Sequence, residues 1–245
     1  MEKISRKSFV KGALGLGAVG ILAGCASSPS SPAASASSTA APAEKKEFTF
    51  ADTVRWDAQY DVVVMGMGAA GMVAAKTAAD NGAKVVIVEK CEEGKAGGNT
   101  KVCGQLFAYA NGDKDAAKSY YTALAGGRDI EPEIIDAISE GVANMADILA
   151  DEFGFNKDEY MDWTGVNVGG TNMGAMSPEY PEMPGHEKMA LWTTHAGASD
   201  GYLYQGLKQN VTDRVDAIDV WYSSPAKSII QDPVTKTVVG VTVER

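Results

Sequence analysis

YDVVVMGMGAAGMVAAKTAADNGAKVVIVEK, residues 60–90, changes character three times along its length. Asp61-Val62-Val63-Val64-Met65 is a short β-branched run of the kind that fills a buried parallel strand. Gly66, Gly68 and Gly71 then fall in the pattern G-x-G-x-x-G. From Ala69 to Asp80 the chain is rich in Ala and apolar on one face, which predicts a helix. Asn81-Gly82 ends that helix, with Gly82 as its cap. Lys84 to Val88 reads as a second strand, and Glu89 stands at its carboxyl end.

Strand, glycine turn, helix and strand make a βαβ unit, and each glycine has its own task in one. Gly66 permits the tight turn, Gly68 lets the backbone approach a pyrophosphate, and Gly71 lets the helix pack closely on the strand. Ala69 and Ala70, which open the helix, join them as candidate cofactor-binding residues. A Gly-rich turn alone is weak support. Here it lies between a strand and a helix, with an acid about 20 residues on, where a carboxylate accepts from ribose hydroxyls. Glu89 at that point favours a free 2′-hydroxyl, and so FAD or NAD over NADP. A βαβ unit without a ligand is the competing reading, and the coincidence of these features weighs against it.

The next segment, EKCEEGKAGGNTKVCGQ at residues 89–105, narrows the choice. A plain NAD-dependent dehydrogenase goes from its second strand into another α/β unit. Here a second glycine loop, Gly97-Gly98-Asn99-Thr100-Lys101, returns toward the phosphates with the polar groups of Asn and Thr. Val88-Glu89-Lys90 followed by this loop resembles the FAD-dependent fumarate reductase family, with urocanate reductase, related enoate reductases and 3-ketosteroid Δ1-dehydrogenases. The resemblance is tight over residues 60–104 and diffuse beyond. It implies FAD, with the pyrophosphate on the first glycine turn, the adenosine ribose on Glu89, and Lys90 beside it as a further cofactor-binding candidate. It places Gly97, Gly98, Asn99, Thr100 and Gly104 near the pyrophosphate and flavin. The fold class implied is α/β, a Rossmann-like FAD-binding fold of the two-dinucleotide-binding type.

The chain departs from the family at one point in this region. Members have a Gly-Gly pair shortly after the second loop, where backbone lies against the flavin; this chain has Gly104-Gln105-Leu106. Close backbone approach at 105 and 106 is therefore not carried over. Cys91 and Cys103 flank the loop, and two small buried thiols are the favoured reading over a redox pair.

Lys114 to Ala125 and Glu131 to Glu152 have helical spacing, and Glu131-Pro132 suits a helix start. Residues 160–192 are irregular and rich in Met, Gly, Pro and Trp, so they read as a long loop within an excursion spanning about 105–200. The resemblance puts this part on the substrate side of the flavin, with His195 and Gly197 as candidates; a structural His195 is the bland alternative. His186 reads as a solvated loop residue. Tyr202 to Val211 predicts a helix and Ala217 to Tyr222 a third strand. Lys227 to Gln231 and Thr237 to Val243 predict a hairpin about Asp232-Pro233.

In the fold implied, such a hairpin leads to a fourth parallel strand beside the first, and a later capping domain carries the catalytic Arg. Neither can be placed before Arg245. The FAD-binding domain expected over residues 56–245 is thus read as incomplete, and no catalytic residue is assigned. The first strand is expected to stand as an apolar edge.

Outside the domain, MEKISRKSFVKGALGLGAVGILAGC at residues 1–25 has a basic head and an apolar stretch too short to span a bilayer comfortably. Leu22-Ala23-Gly24-Cys25 resembles a bacterial lipobox, so residues 1–24 are expected to be a lipoprotein signal and Cys25 the lipidated residue. Ser5 to Lys11 resembles the twin-arginine export motif, with Lys7 in place of the second Arg. Residues 25–55, largely Ser, Ala and Pro, read as a flexible tether. The expected location is outside the cytoplasmic membrane, lipid-anchored at Cys25 or else periplasmic or at the cell surface.

Net charge is −10 at pH 7, which argues against a nucleic-acid face. The three cysteines include no C-x-x-C pair, which excludes a zinc ribbon and covalent c-type haem, and no metal is expected. Two functions stay open. One is the N-terminal part of an exported FAD enzyme that reduces an activated C=C bond in an unsaturated acid or enone. Its electrons would come from a separate donor such as a cytochrome or quinol-linked protein. The other is a surface lipoprotein that binds a nucleotide or partner without redox chemistry.

Overall fold

The β-branched run Val62–Met65 forms strand β1 in the computed structural model, which describes residues 48–168, 171–172 and 180–245. Helix α1 follows at Ala69–Asp80, then β2 at Val85–Val88 and a short helix α2 at Gly98–Val102. Strand β3 (Phe107–Tyr109) leads into helices α3 (Lys114–Leu124) and α4 (Pro132–Phe153). Four short strands come next: β4 (Met161–Asp162), β5 (Asn167–Val168), β6 (Thr171–Asn172) and β7 (Ala190–Thr193). Helix α5 (Tyr202–Thr212), strand β8 (Ile218–Trp221) and the pair β9 (Ala226–Gln231) and β10 (Val238–Val243) complete the order.

The parallel sheet runs β1-β2-β8, with Val64 opposite Ile87 and Ile87 opposite Val220. All four residues of β2 are buried, because the central strand has cover on both faces, and an unbroken apolar run is what such a strand requires. Each fully buried Val or Ile of this kind contributes about 1.5–3 kcal/mol. Strand β1 lies at an edge of this sheet, with Val63 and Met65 exposed. Met72 and Ala75 of α1 pack with Val64, Val85 and Ile87 of the sheet. Leu149, Phe153 and Phe155 from the end of α4, and Tyr204, Leu207 and Val211 from α5, complete that core. The sheet and α5 are thus joined through α1.

Helix α4 starts with Pro132 in its first turn and stops at Gly154, whose φ of 76° lets the Phe155 amide turn back to the Leu149 carbonyl. Ala117 and Tyr120 of α3 pack on Ala110 and Met189 in a second small core. The hairpin pairs β9 with β10 antiparallel, Ile229 opposite Val241. Trp56 covers Gly240, where a Cβ would come within 2.5 Å of the ring.

The structure revises three expectations. Part of the excursion expected as an irregular loop is an antiparallel sheet, β3-β7-β4, with Phe107 opposite Trp192 and Met161 opposite Thr193. The second glycine loop contains a helical turn, α2, that starts from Gly97 in the left-handed conformation. The last residues of the tether expected over 25–55 are ordered: a 3-10 turn at Phe50–Thr53 is closed by Thr49 and Asp52, and the Trp56 indole donates to the Ala51 carbonyl. The leader, Cys25, the tether up to residue 47 and residues 169–170 and 173–179 of the excursion lie outside the described residues. Among the described residues, no helix is long and apolar enough to cross a membrane.

Candidate functional site

The end of β1 meets the start of α1 at a turn made possible by Gly66, which has φ 94° and donates its amide to the Val88 carbonyl at the end of β2. At Gly71 a Cβ would stand 2.0 Å from the Gly66 carbonyl oxygen, so only glycine admits this approach of helix to turn. Gly68 caps the helix in an extended conformation, and the first turn of α1 carries no acidic side chain. The positive end of the helix dipole is therefore left for an external anion.

Glu89 is 6% exposed, yet both of its carboxylate oxygens are held. Oε2 accepts from the Met67 amide and Oε1 from the Cys91 amide, each at 2.8 Å. A carboxylate has about four acceptor sites, so the second lone pair on each oxygen stays available to hydroxyl donors. The Glu89 backbone is fixed by the Trp221 and Ser224 backbones at the end of β8. Lys90, next in sequence, is exposed.

The second glycine loop folds back onto the first turn. Thr100 Oγ1 accepts from the Ala69 amide at 2.9 Å, joining α2 to the N-terminus of α1. No hydrogen bond to the Gly68 or Ala70 amide forms among the described residues. Gly97 has φ 118° and presses on the Tyr204 ring, which a Cβ would approach to 2.5 Å. Asn99 is exposed at the loop surface, and Gly104 carries a carbonyl that accepts from the Ser199 amide at 3.2 Å.

That last bond brings the His195 segment to the end of the glycine loop. His195 Nε2 lies 2.6 Å from Asp200 Oδ2, and its ring stacks on Tyr202 with centroids 4.1 Å apart. The Asp200 carboxyl is held below the usual carboxylate range, first by the Tyr202 amide and then by His195. His195 Nδ1 is buried with no hydrogen-bond partner among the described residues. Gly197 sits under this pair: a Cβ there would come within 2.7 Å of both His195 Nε2 and Asp200 Oδ2. Cys91 is half-buried and Cys103, the residue that caps the end of α2, is exposed, so neither thiol is buried as expected.

A family model described as FAD binding domain matches residues 61–245. The chain belongs to that family. Its relatives include the digoxin reductase of Eggerthella lenta, 43% identical over 105 residues, which cover 41% of this chain and 18% of that protein. The NADH:fumarate oxidoreductase of Klebsiella pneumoniae is 30% identical over 181 residues, covering 70% of this chain and 17% of that protein. The chain thus spans less than a fifth of the length of these curated relatives. Among solved structures, 3-ketosteroid Δ1-dehydrogenase from Sterolibacterium denitrificans superposes with a TM-score of 0.60 at 18% identity, covering 76% of this chain and 44% of that one. A flavocytochrome c3 fumarate reductase in its open conformation gives 0.54 at 18% identity, covering 75% of this chain and 30% of that one. The fold is that of FAD-binding flavoproteins, and the cofactor is FAD.

The residues of the site fit that cofactor. The Gly68 and Ala70 amides and the uncompensated helix end suit a pyrophosphate, and the buried Glu89 carboxylate keeps lone pairs for ribose hydroxyls. The structure gathers Gly66, Gly68, Ala69, Ala70, Gly71 and Glu89 around one turn. Thr100 is bonded to that turn, with Gly97, Gly98 and Asn99 beside it in the same loop. The segment holding His195 and Gly197 is joined to Gly104. Three residues of the site gave no signal of their own: Gln105, Tyr204 and Asp200. Gln105 stood out only as a departure from the family's glycine. Asp200 and Tyr204, at the start of α5, show themselves only once that helix is packed beneath the loop.

Proposed function

We propose that this chain is the FAD-binding N-terminal part of an exported oxidoreductase that reduces an activated C=C bond in an unsaturated acid or an enone. Electrons would reach it from a separate donor, such as a cytochrome or quinol-linked protein. One observation carries this reading: the two glycine loops are bonded together through Thr100 and Ala69 beside a buried, amide-held Glu89. Relatives named as a digoxin reductase and an NADH:fumarate oxidoreductase support the reductive direction. Bound FAD supplies the hydride chemistry.

The chain's own residues bind and orient. Glu89 fixes the ribose end, and the α1 turn holds the pyrophosphate. The Gly97 to Thr100 loop would hold the cofactor near its pyrophosphate and flavin. On the substrate side stand His195 and Gly197; Asp200 fixes the imidazole through Nε2 and Tyr202 holds its face. Residues 1–24 direct export, and lipid on Cys25 holds the protein at the outer face of the cytoplasmic membrane, with the Ser/Ala/Pro segment as tether.

The test is anaerobic reduction, by a viologen, of the flavin-loaded full-length enzyme of which this chain is the N-terminal part, followed by addition of unsaturated acids, enones and their saturated counterparts in turn. Reoxidation by one class of activated alkene, with a saturated product, is the expected result. Flavin that returns electrons to none of them sinks the proposal.

A further inference from the structure

Gln105 is almost wholly buried, at 1% exposure, and its backbone is left-handed, with φ 64°. A side chain larger than glycine or asparagine rarely takes that conformation unless its surroundings impose it. The imposing contacts are those of its carboxamide. Nε2 donates to the Thr100 carbonyl at 2.5 Å and to the Cys103 carbonyl at 3.3 Å, and Oε1 accepts from the Tyr204 amide at 3.1 Å. The orientation of the amide group is fixed by chemistry, since a backbone N–H must meet the oxygen and carbonyls must meet the nitrogen.

These bonds continue beyond Gln105. Thr100, held through its carbonyl, holds the Ala69 amide through its hydroxyl. Tyr204, held through its amide, lays its ring against Gly97. A single side chain thus connects the first turn of α5, the second glycine loop and the N-terminus of α1. We infer that Gln105 is a positioning residue that latches the Gly97 to Thr100 loop in its cofactor-ready shape before FAD arrives. This rests on the FAD site described above. Pre-organising the loop removes an ordering cost from binding, so the latch acts on affinity.

Two variants of the full chain separate this role from space filling. Gln105→Met keeps the volume and removes every hydrogen bond of the carboxamide, including the one from Nε2 to Cys103 Sγ. Gln105→Glu keeps an acceptor for Tyr204, and only its protonated form can also donate to Thr100. The neighbouring titratable groups, the Cys103 thiol and Lys101 on the Tyr204 ring, are common to wild type and variants. Amide hydrogen exchange of the FAD-free chain is expected to show faster exchange at Ala69 and Tyr204 in Gln105→Met. FAD affinity should fall about tenfold or more in that variant. In Gln105→Glu the affinity should approach wild type at about pH 5 and fall by about pH 8, beyond any change in wild type over the same range.

Unchanged exchange in both variants overturns the latch. So does a wild-type affinity for FAD in both at either pH. Faster exchange in the variants of a wild-type chain that takes up no FAD would support the latch as a structural link and count against the cofactor reading instead.

Discussion

Glu89 carries the most of any residue in the site, because it is buried, charged and held by two backbone amides. Glu89→Ala leaves the Met67 and Cys91 amides without their acceptor, a loss of about 1–3 kcal/mol in unfolding free energy for the buried Met67 amide and less for the half-buried Cys91 amide. Urea denaturation of the FAD-free chain measures that loss. The same variant should bind FAD at least about tenfold more weakly, since charge-assisted bonds to ribose go with it. Gly71→Ala is a sharper case: its Cβ would sit 2.0 Å from the Gly66 carbonyl, so α1 must move off the turn. Overpacking of this kind costs about 1–3 kcal/mol or more, and circular dichroism melts should show a lower midpoint. At this scale the sequence was readable wherever a residue's task depends on its near neighbours. The three glycines and Glu89 belong to one local unit. Gln105 and Tyr204 are 99 positions apart, and no local pattern announces that one amide binds the other.

Among the elements, α1 is tied by Asp80 to the turn that follows α5, beyond the apolar contacts of the two helices. Its carboxylate takes both the Arg214 guanidinium, at 2.6 and 3.1 Å, and the Lys76 ammonium at 2.7 Å, while Lys76 also lies over the Phe153 ring. Arg214 and then Lys76 hold the Asp80 carboxyl below the usual range. A group with a depressed folded pKa stabilises fully above its unfolded value, about pH 4, and that contribution disappears as pH falls through the lower folded value. Stability of the wild type should therefore decline below about pH 4 more steeply than that of Asp80→Asn. At neutral pH the variant should lose about 1 kcal/mol at most, because the carboxylate is partly exposed and screened. Chemical denaturation across pH gives both slopes. Element by element, helices α3 and α4 were legible from their spacing, and β2 from its unbroken run of Val and Ile. The β3-β7-β4 sheet was not: strands of two to four residues carry too little alternation to show a period. Helix α2 was hidden for another reason, since Gly-Gly-Asn has poor helix propensity and the turn depends on left-handed Gly97 and its packing on Tyr204.

Over the whole molecule, the exported location proposed here depends on residues 1–25, far from the cofactor site in sequence. Cys25→Ala should shift the protein from the membrane fraction to the soluble fraction of an expressing bacterium without changing its flavin content. Blotting of fractions, with labelled fatty acid to mark the lipid, reads the shift; equal membrane attachment in the variant would remove the anchor proposal. The FAD site itself is the centre of the account, and a titration measures it directly. Purified chain stripped of ligand and titrated with FAD should quench flavin fluorescence and saturate at about one FAD per chain, with binding weakened by Glu89→Ala. A folded chain that leaves FAD free, or one that binds it equally well without the Glu89 carboxylate, would contradict it.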